Sequence, residues 1–108
     1  MKKQKKCVIL KAIVNNRIVG SVRVRKHNNH CYIGRLFVHP AYQNNGVGKH
    51  LMCTAEKVFD VPRYELVTGN LDEKNIVFYT NLGYKIYSKE KAADNLYYVH
   101  MEKLATGK

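Results

Sequence analysis

The sequence predicts an α/β fold whose elements run in the order β-β-β-α-β-α-β-β. Three observations carry that expectation. Apolar and polar residues alternate over positions 17–25, the period of a half-buried strand. Residues 47–59 instead place Leu51, Ala55, Val58 and Phe59 on one helical stripe, away from Lys49, His50, Glu56 and Lys57. Asparagine pairs and glycines punctuate the chain between such patterns and mark turns.

Taken in order, residues 7–14 are an apolar run broken only by Lys11, so a strand with both faces partly covered is expected. Asn15 and Asn16 turn the chain. Ile18, Gly20, Val22 and Val24 then face one way, and Arg17, Ser21, Arg23 and Arg25 the other, with Val19 the exception. This second strand hairpins to the first. The polar segment 26–30, KHNNH, reads as a solvated loop, and 31–39 as a third strand ending at His39-Pro40. Helix one covers about 47–59 and stops before Pro62. Residues 64–68 form a strand that ends at Gly69-Asn70. Asp72 is a natural N-cap and Gly83 a natural C′ residue, which bounds helix two at about 73–82. Residues 84–89 and 96–104 close the fold as a hairpin around the loop EKAADN.

A chain of 108 residues fits one domain, 1–108, with 1–6 as a basic tail. No stretch approaches the roughly 18 apolar residues needed to span a bilayer. The MKKQKK start followed by CVILKAIV resembles a signal peptide only in outline. Its apolar part is short, interrupted by Lys11, and lacks a small-residue cleavage site. A cytoplasmic protein with no membrane attachment is expected. Cys7, Cys31 and Cys53 are odd in number, widely spaced and outside any CxxC, as for single buried or half-buried thiols. His27 and His30 lie in a polar loop with no carboxylate near, so no metal site is expected. The net charge of +11 suits an anionic partner. The excess is part terminal run and part scatter, with no basic helix or aromatic-basic alternation. Nucleic acid is therefore not the expected partner.

The stretch that organises the chain is 31–49: an apolar strand, a His-Pro stop, and the glycine-bearing loop QNNGVGK opening a helix. Gly46 and Gly48 let the backbone turn and approach a ligand. The following helix begins with unpaired N–H groups and partial positive charge. Together these make a seat for phosphate. It is not a P-loop, because Gly48-Lys49 is followed by His50 and the first glycine position falls on Gln43. GxGxxG fails as well, at Leu51. The pattern present is Q-x-x-G-x-G behind an L-x-V strand, and it resembles the coenzyme A loop of the GNAT family of N-acetyltransferases. A second, independent stretch, Asn75-Ile-Val-Phe-Tyr79-Thr-Asn-Leu-Gly83-Tyr84 with its connecting residues as they stand, resembles that family's second signature. The resemblance extends over about 7–104.

The resemblance implies a mixed, mostly antiparallel central sheet with two helices, lacking the usual first strand and two helices. It implies direct transfer of acetyl from acetyl-CoA, as co-substrate and without metal, to a primary amine of a small molecule or peptide. Main-chain N–H groups of Leu36, Phe37 and Val38 would polarise the acetyl carbonyl. Gln43, Asn44, Asn45, Gly46, Val47, Gly48 and Lys49 would wrap the pyrophosphate, and Asn75 would bond the pantetheine arm. Tyr79 would lie on the cofactor and protonate the leaving thiolate; its plainer role is a packed aromatic of helix two. Tyr84 reads as core or cofactor packing. Strand Tyr32-Ile-Gly-Arg35 lacks the carboxylate that several members place there, so no base is assigned; water, His30, His39 or no base at all remain open. Only six residues precede Cys7, where the family has a wall of the acceptor pocket. That shortfall and the uncovered first strand point to a homodimer, and they keep a second reading alive: a degenerate module that binds acetyl-CoA, or regulates, without turnover.

Overall fold

Asn-Asn pairs set the first half of the sheet. Asn15 and Asn28 both have φ of 51°, and Asn16 and Asn29 both have φ of 65°. Left-handed φ at both central residues is the two-residue hairpin turn whose twist matches that of its strands. The strands can therefore run up to each pair. The structure is a computed structural model and describes residues 6–105. The tail expected over 1–6 lies outside them except for Lys6, which opens the first strand.

The elements are β1 Lys6–Val14, β2 Arg17–His27, β3 His30–Val38, a 3-10 turn Pro40–Tyr42, α1 Val47–Ala55, β4 Arg63–Gly69, α2 Glu73–Asn81, β5 Lys85–Ala93 and β6 Leu96–Leu104. They form one six-stranded sheet in the order β1-β2-β3-β4-β6-β5. Only β3 and β4 pair in parallel. This is the expected mixed, mostly antiparallel sheet with two helices.

Three boundaries differ from expectation. The loop foreseen at 26–30 is only the Asn28-Asn29 turn, for the reason just given. The EKAADN loop likewise shrinks: β5 continues to Ala93, and the chain reverses at Asp94 and Asn95, where Asn95 has φ of 61°. Helix α1 ends at Ala55 rather than near Phe59. Its last carbonyls find other partners. The Tyr64 hydroxyl donates to the Glu56 carbonyl at 2.9 Å, and the Lys57 and Val58 N–H groups bond back three residues, to Thr54 and Ala55. That tighter turn still leaves Val58 and Phe59 packed on the core.

Both helices cover one face of the sheet. Val22, Val24, Cys31, Ile33, Leu66, Val99 and Met101 point into it and meet Leu51, Met52 and Ala55 of α1, with Tyr79 and Tyr84 beyond. The opposite face is open. Ile9 is 55% exposed and Ile13 61%, so β1 has one covered face and not two. Cys7 and Cys53 are exposed and Cys31 is buried, so two of the three thiols depart from the buried or half-buried state expected.

Burial, helped by the charge of Glu56, pushes the Cys31 thiol up to about 11. Thiol reactivity follows thiolate content and access. At pH 8 the native protein should therefore label quickly at Cys7 and Cys53, with Cys31 reacting only in denaturant. Rapid labelling of Cys31 in native protein, read by mass spectrometry, would contradict the packing of the β3 face.

Candidate functional site

The site begins where two neighbouring strands separate. β3 and β4 pair only at Cys31↔Tyr64 and Tyr32↔Glu65. Past that point β4 keeps its partner β6 from Arg63↔Leu104 to Gly69↔Tyr98, and β3 keeps β2 as far as Gly20↔Val38. A register shift between Ser21 and Arg23 and a φ of 54° at Arg35 bend β3 away. Its β4-facing edge beyond Tyr32 has no strand partner among the described residues. Backbone N–H and C=O groups left this way are available to a ligand.

A cleft of about 670 Å³ opens on that edge, within the usual range for small-molecule sites. Leu36, Phe37 and Val38 form one wall, and Gln43, Asn44, Gly46, Gly48 and Lys49 the next. Asp72, Lys74, Asn75 and Phe78 of the α2 start close it, with Pro40 at the rim. The loop is shaped by its own bonds. His39 Nδ1 accepts from the Ala41 N–H at 3.0 Å, and Gln43 Nε2 donates to the Val38 carbonyl at 3.0 Å. Asn44 and Gly46 adopt φ of 67° and 84° to bring the chain round into α1. No side chain caps α1, and its first turn has no acid. The free N–H groups and the dipole are thus left to the cleft. At Gly48 a Cβ would come within 3.3 Å of the Phe78 ring and 3.5 Å of Val38, so glycine is what keeps this passage open. Across it, Asp72 caps α2 by accepting from the Asn75 N–H at 3.3 Å, while Asn75 Nδ2 donates to its other oxygen at 2.7 Å.

Of the residues singled out in the sequence, nine line this cleft: Leu36, Phe37, Val38, Gln43, Asn44, Gly46, Gly48, Lys49 and Asn75. Asn45 is exposed on the loop, and Val47 packs on the core. Tyr79 stands behind the wall, 8% exposed, its ring 5.2 Å from Phe78 and 6.2 Å from Tyr84. Burial, then the charge of Asp72, raises its phenol above the ordinary value, so it stays protonated. Lys74 and Phe78 were not singled out. Phe78 lies three residues beyond Asn75 and Lys74 directly before it, and only the placement of α2 brings both to the cleft.

The open face carries a second cavity of about 600 Å³ on the other side of the same parting. Arg23, Arg25, Tyr32, Gly34 and Arg35 line its β2–β3 side; Glu65, Val67, Tyr87 and His100 line the other. Glu65 is 9% exposed and pairs with Arg63, which also bonds Glu102 at 2.6 Å. The Tyr87 hydroxyl donates to Glu65 Oε1 at 2.5 Å, and His30 Nδ1 lies 3.6 Å away. Burial works to raise the Glu65 carboxyl, but the Tyr87 bond and the Arg63 charge outweigh it and hold it below the ordinary value. Sequence reasoning missed Glu65. It is the one acid in an otherwise apolar-rich strand, and nothing local shows that it faces a cavity.

A family model described as an acetyltransferase (GNAT) domain matches residues 1–105. The chain belongs to the GNAT family. Among solved structures, this GNAT chain is similar to the PaiA N-acetyltransferase from Thermoplasma acidophilum in complex with coenzyme A. That match has a TM-score of 0.80 at 22% identity and covers 92% of this chain and 61% of that one. It is also similar to an aminoglycoside 6′-N-acetyltransferase complexed with coenzyme A, with TM-score 0.84, 19% identity, and 94% and 74% of the two chains covered. An acetyltransferase from Bacillus cereus ATCC 14579 gives 0.80 at 21%, covering 94% and 74%. At such identities the likeness speaks for the fold. The chain spans under two thirds of the PaiA enzyme's length. No curated protein matches it significantly. Among the described residues no helix is long and apolar enough to cross a membrane, and none of the His, Cys, Asp and Glu side chains group in threes as a metal would need.

The depressed Glu65 carboxyl makes a pH prediction. Its stabilisation is complete above the ordinary value of 4.5 and is lost as pH falls through the lower folded value. Glu65→Gln should lower the melting temperature at pH 7, and the gap to wild type should close on acidification towards pH 3. A gap that stays constant would show that the charge of Glu65 contributes nothing.

Proposed function

We propose that this GNAT chain is an N-acetyltransferase that binds acetyl-CoA in the cleft beneath α1 and passes the acetyl group to a primary amine. One observation carries the reading. The uncapped, acid-free N-terminus of α1 and the unpartnered edge of β3 open onto the same cleft. The residues present fit the ligand: phosphate would meet N–H groups at Gly46, Val47 and Gly48, with Lys49 and Lys74 beside it. When bound, acetyl-CoA supplies an activated thioester. Backbone N–H groups among Leu36, Phe37 and Val38 hold the developing negative charge on the acetyl oxygen, and Asn75 orients the arm that leads there. A C–N bond forms as the C–S bond breaks. Tyr79 gives its proton to the departing sulfur, and the amine's surplus proton leaves to solvent, with no base assigned.

In the same reading residues 1–108 act as one cytoplasmic domain and pair as a homodimer, which the exposed Ile9, Ile13 and Ile18 support. A monomer mass by light scattering at tens of micromolar would overturn the pairing. One observation favours a binding module without turnover: Phe78, not Tyr79, faces the cleft.

Acetyl transfer from acetyl-CoA to a panel of amines, with calorimetric titration of coenzyme A, tests the reading. Gly48→Glu puts a carboxylate into the phosphate seat and should abolish coenzyme A binding in a variant that still melts cooperatively. Unchanged affinity would remove the seat. Tyr79→Phe keeps the ring and its packing. It should lower kcat by roughly 10²–10⁴-fold, the usual contribution of a positioned acid, with coenzyme A affinity nearly unmoved. Unaltered turnover with only a lower melting temperature would make Tyr79 a core aromatic.

A further inference from the structure

We infer that the acceptor amine carries its own anionic group, a carboxylate or phosphate near the amine, held in the open-face cavity by Arg23, Arg25 and Arg35. The inference rests on the acetyl-transfer reading and names the substrate class of that site. The cavity is unevenly charged. Arg63 at its edge is matched by two carboxylates, Glu65 and Glu102. Arg23, Arg25 and Arg35 have no acidic partner among the described residues. Yet Arg23 and Arg25 are half-buried, and both line the cavity with Arg35. Three guanidiniums that share one cavity and have no carboxylate beside them leave their donor forks free for an anion.

Their placement is ordered. Arg25 lies opposite Tyr32 across the strand pair, its guanidinium 4.9 Å from the centre of that ring, and Arg23 lies opposite Gly34. Arg35 follows Gly34 on the adjoining strand. The absent side chain at Gly34, with nothing within 4 Å of where a Cβ would stand, leaves the floor between the guanidiniums clear. Planar forks of this kind grip carboxylate or phosphate through paired bonds. The far rim has the opposite sign at Glu65, whose two oxygens are engaged by Tyr87 and Arg63. The cavity backs onto the parting of β3 and β4, whose other side is the coenzyme cleft. A molecule anchored by its acid on the arginines thus offers its amine towards the parting. A polyamine would meet three like charges instead.

The test uses the full chain, acetyl-CoA and two matched pairs: an α-amino acid against its amide, and 2-aminoethyl phosphate against 2-aminoethanol. At neutral pH the amide's less basic amine is the more fully unprotonated of its pair, so the supply of free amine cannot account for a preference for the acid. The acid member of at least one pair should show about tenfold or greater advantage in kcat/KM, as for one charge-assisted contact. The pair that shows it separates carboxylate from phosphate. Arg23→Gln and, separately, Arg35→Gln should raise KM for that acid and bring it towards its neutral partner, with kcat held. Equal rates within both pairs, or a polyamine as the better acceptor, would overturn the inference. If no amine is acetylated, the same pairs are titrated into protein loaded with coenzyme A. Tighter binding of an acid member supports the inference, and equal or absent binding overturns it. Failure to bind coenzyme A at all would instead strike the acetyl-transfer reading.

Discussion

The fold turns on a strand pair that is held at two positions and then let go. Continued pairing of β3 with β4 would satisfy Leu36, Phe37 and Val38 within the sheet and close both cavities. The two part because each follows its outer neighbour: β4 stays on β6 along its whole length, while β3 stays on β2 through a register shift and a left-handed residue at Arg35. A register shift bends its strand and strengthens the twist. The parting is thus built from a shifted register together with one left-handed, non-glycine residue at Arg35.

Such an opening has to be clamped at its closed end. Two carboxylates do this from opposite faces. Glu56, just past α1, accepts from the Tyr84 hydroxyl at 2.8 Å and from Lys103 at 2.9 Å, while its carbonyl takes the Tyr64 hydroxyl. That joins the helix end to β4, to β6 and to Tyr84, which leads into β5. Glu65, on the open face, joins β4 to β5 through Tyr87 and shares Arg63 with Glu102 of β6. Both networks are only partly buried, so solvent screens the charge left behind when one partner is removed, and each contributes less than a fully buried pair would.

The two cavities differ in what they present. The helix-side cleft offers backbone: a free strand edge, an uncapped helix and a glycine passage. These suit an extended phosphate-bearing ligand whatever its ends. The open-face cavity offers side chains, three guanidiniums against one carboxylate. Backbone groups stay in place when side chains change, whereas the open-face cavity is altered by any substitution among the arginines that line it.

Local sequence determined what depends on neighbours in the chain. The element order, the Asp72 cap, the Gly83 stop and the loop QNNGVGK follow from turn chemistry and capping, interactions that reach only a few residues. So did most of the wall of the helix-side cleft, since one strand end, one loop and one helix start carry it. Tertiary structure decided the rest. Whether KHNNH was a loop or a turn between long strands depended on how far β2 and β3 stayed paired. Helix α1 stopped at Ala55 because Tyr64, eight residues beyond its cap, took the Glu56 carbonyl. Tyr79 lay behind Phe78 because the rotation of α2 about its axis is set by the core, not by spacing within the helix. Glu65, Arg23 and Arg35 came together from three strands whose side chains alternate between faces, and only the register of the sheet says which face is open.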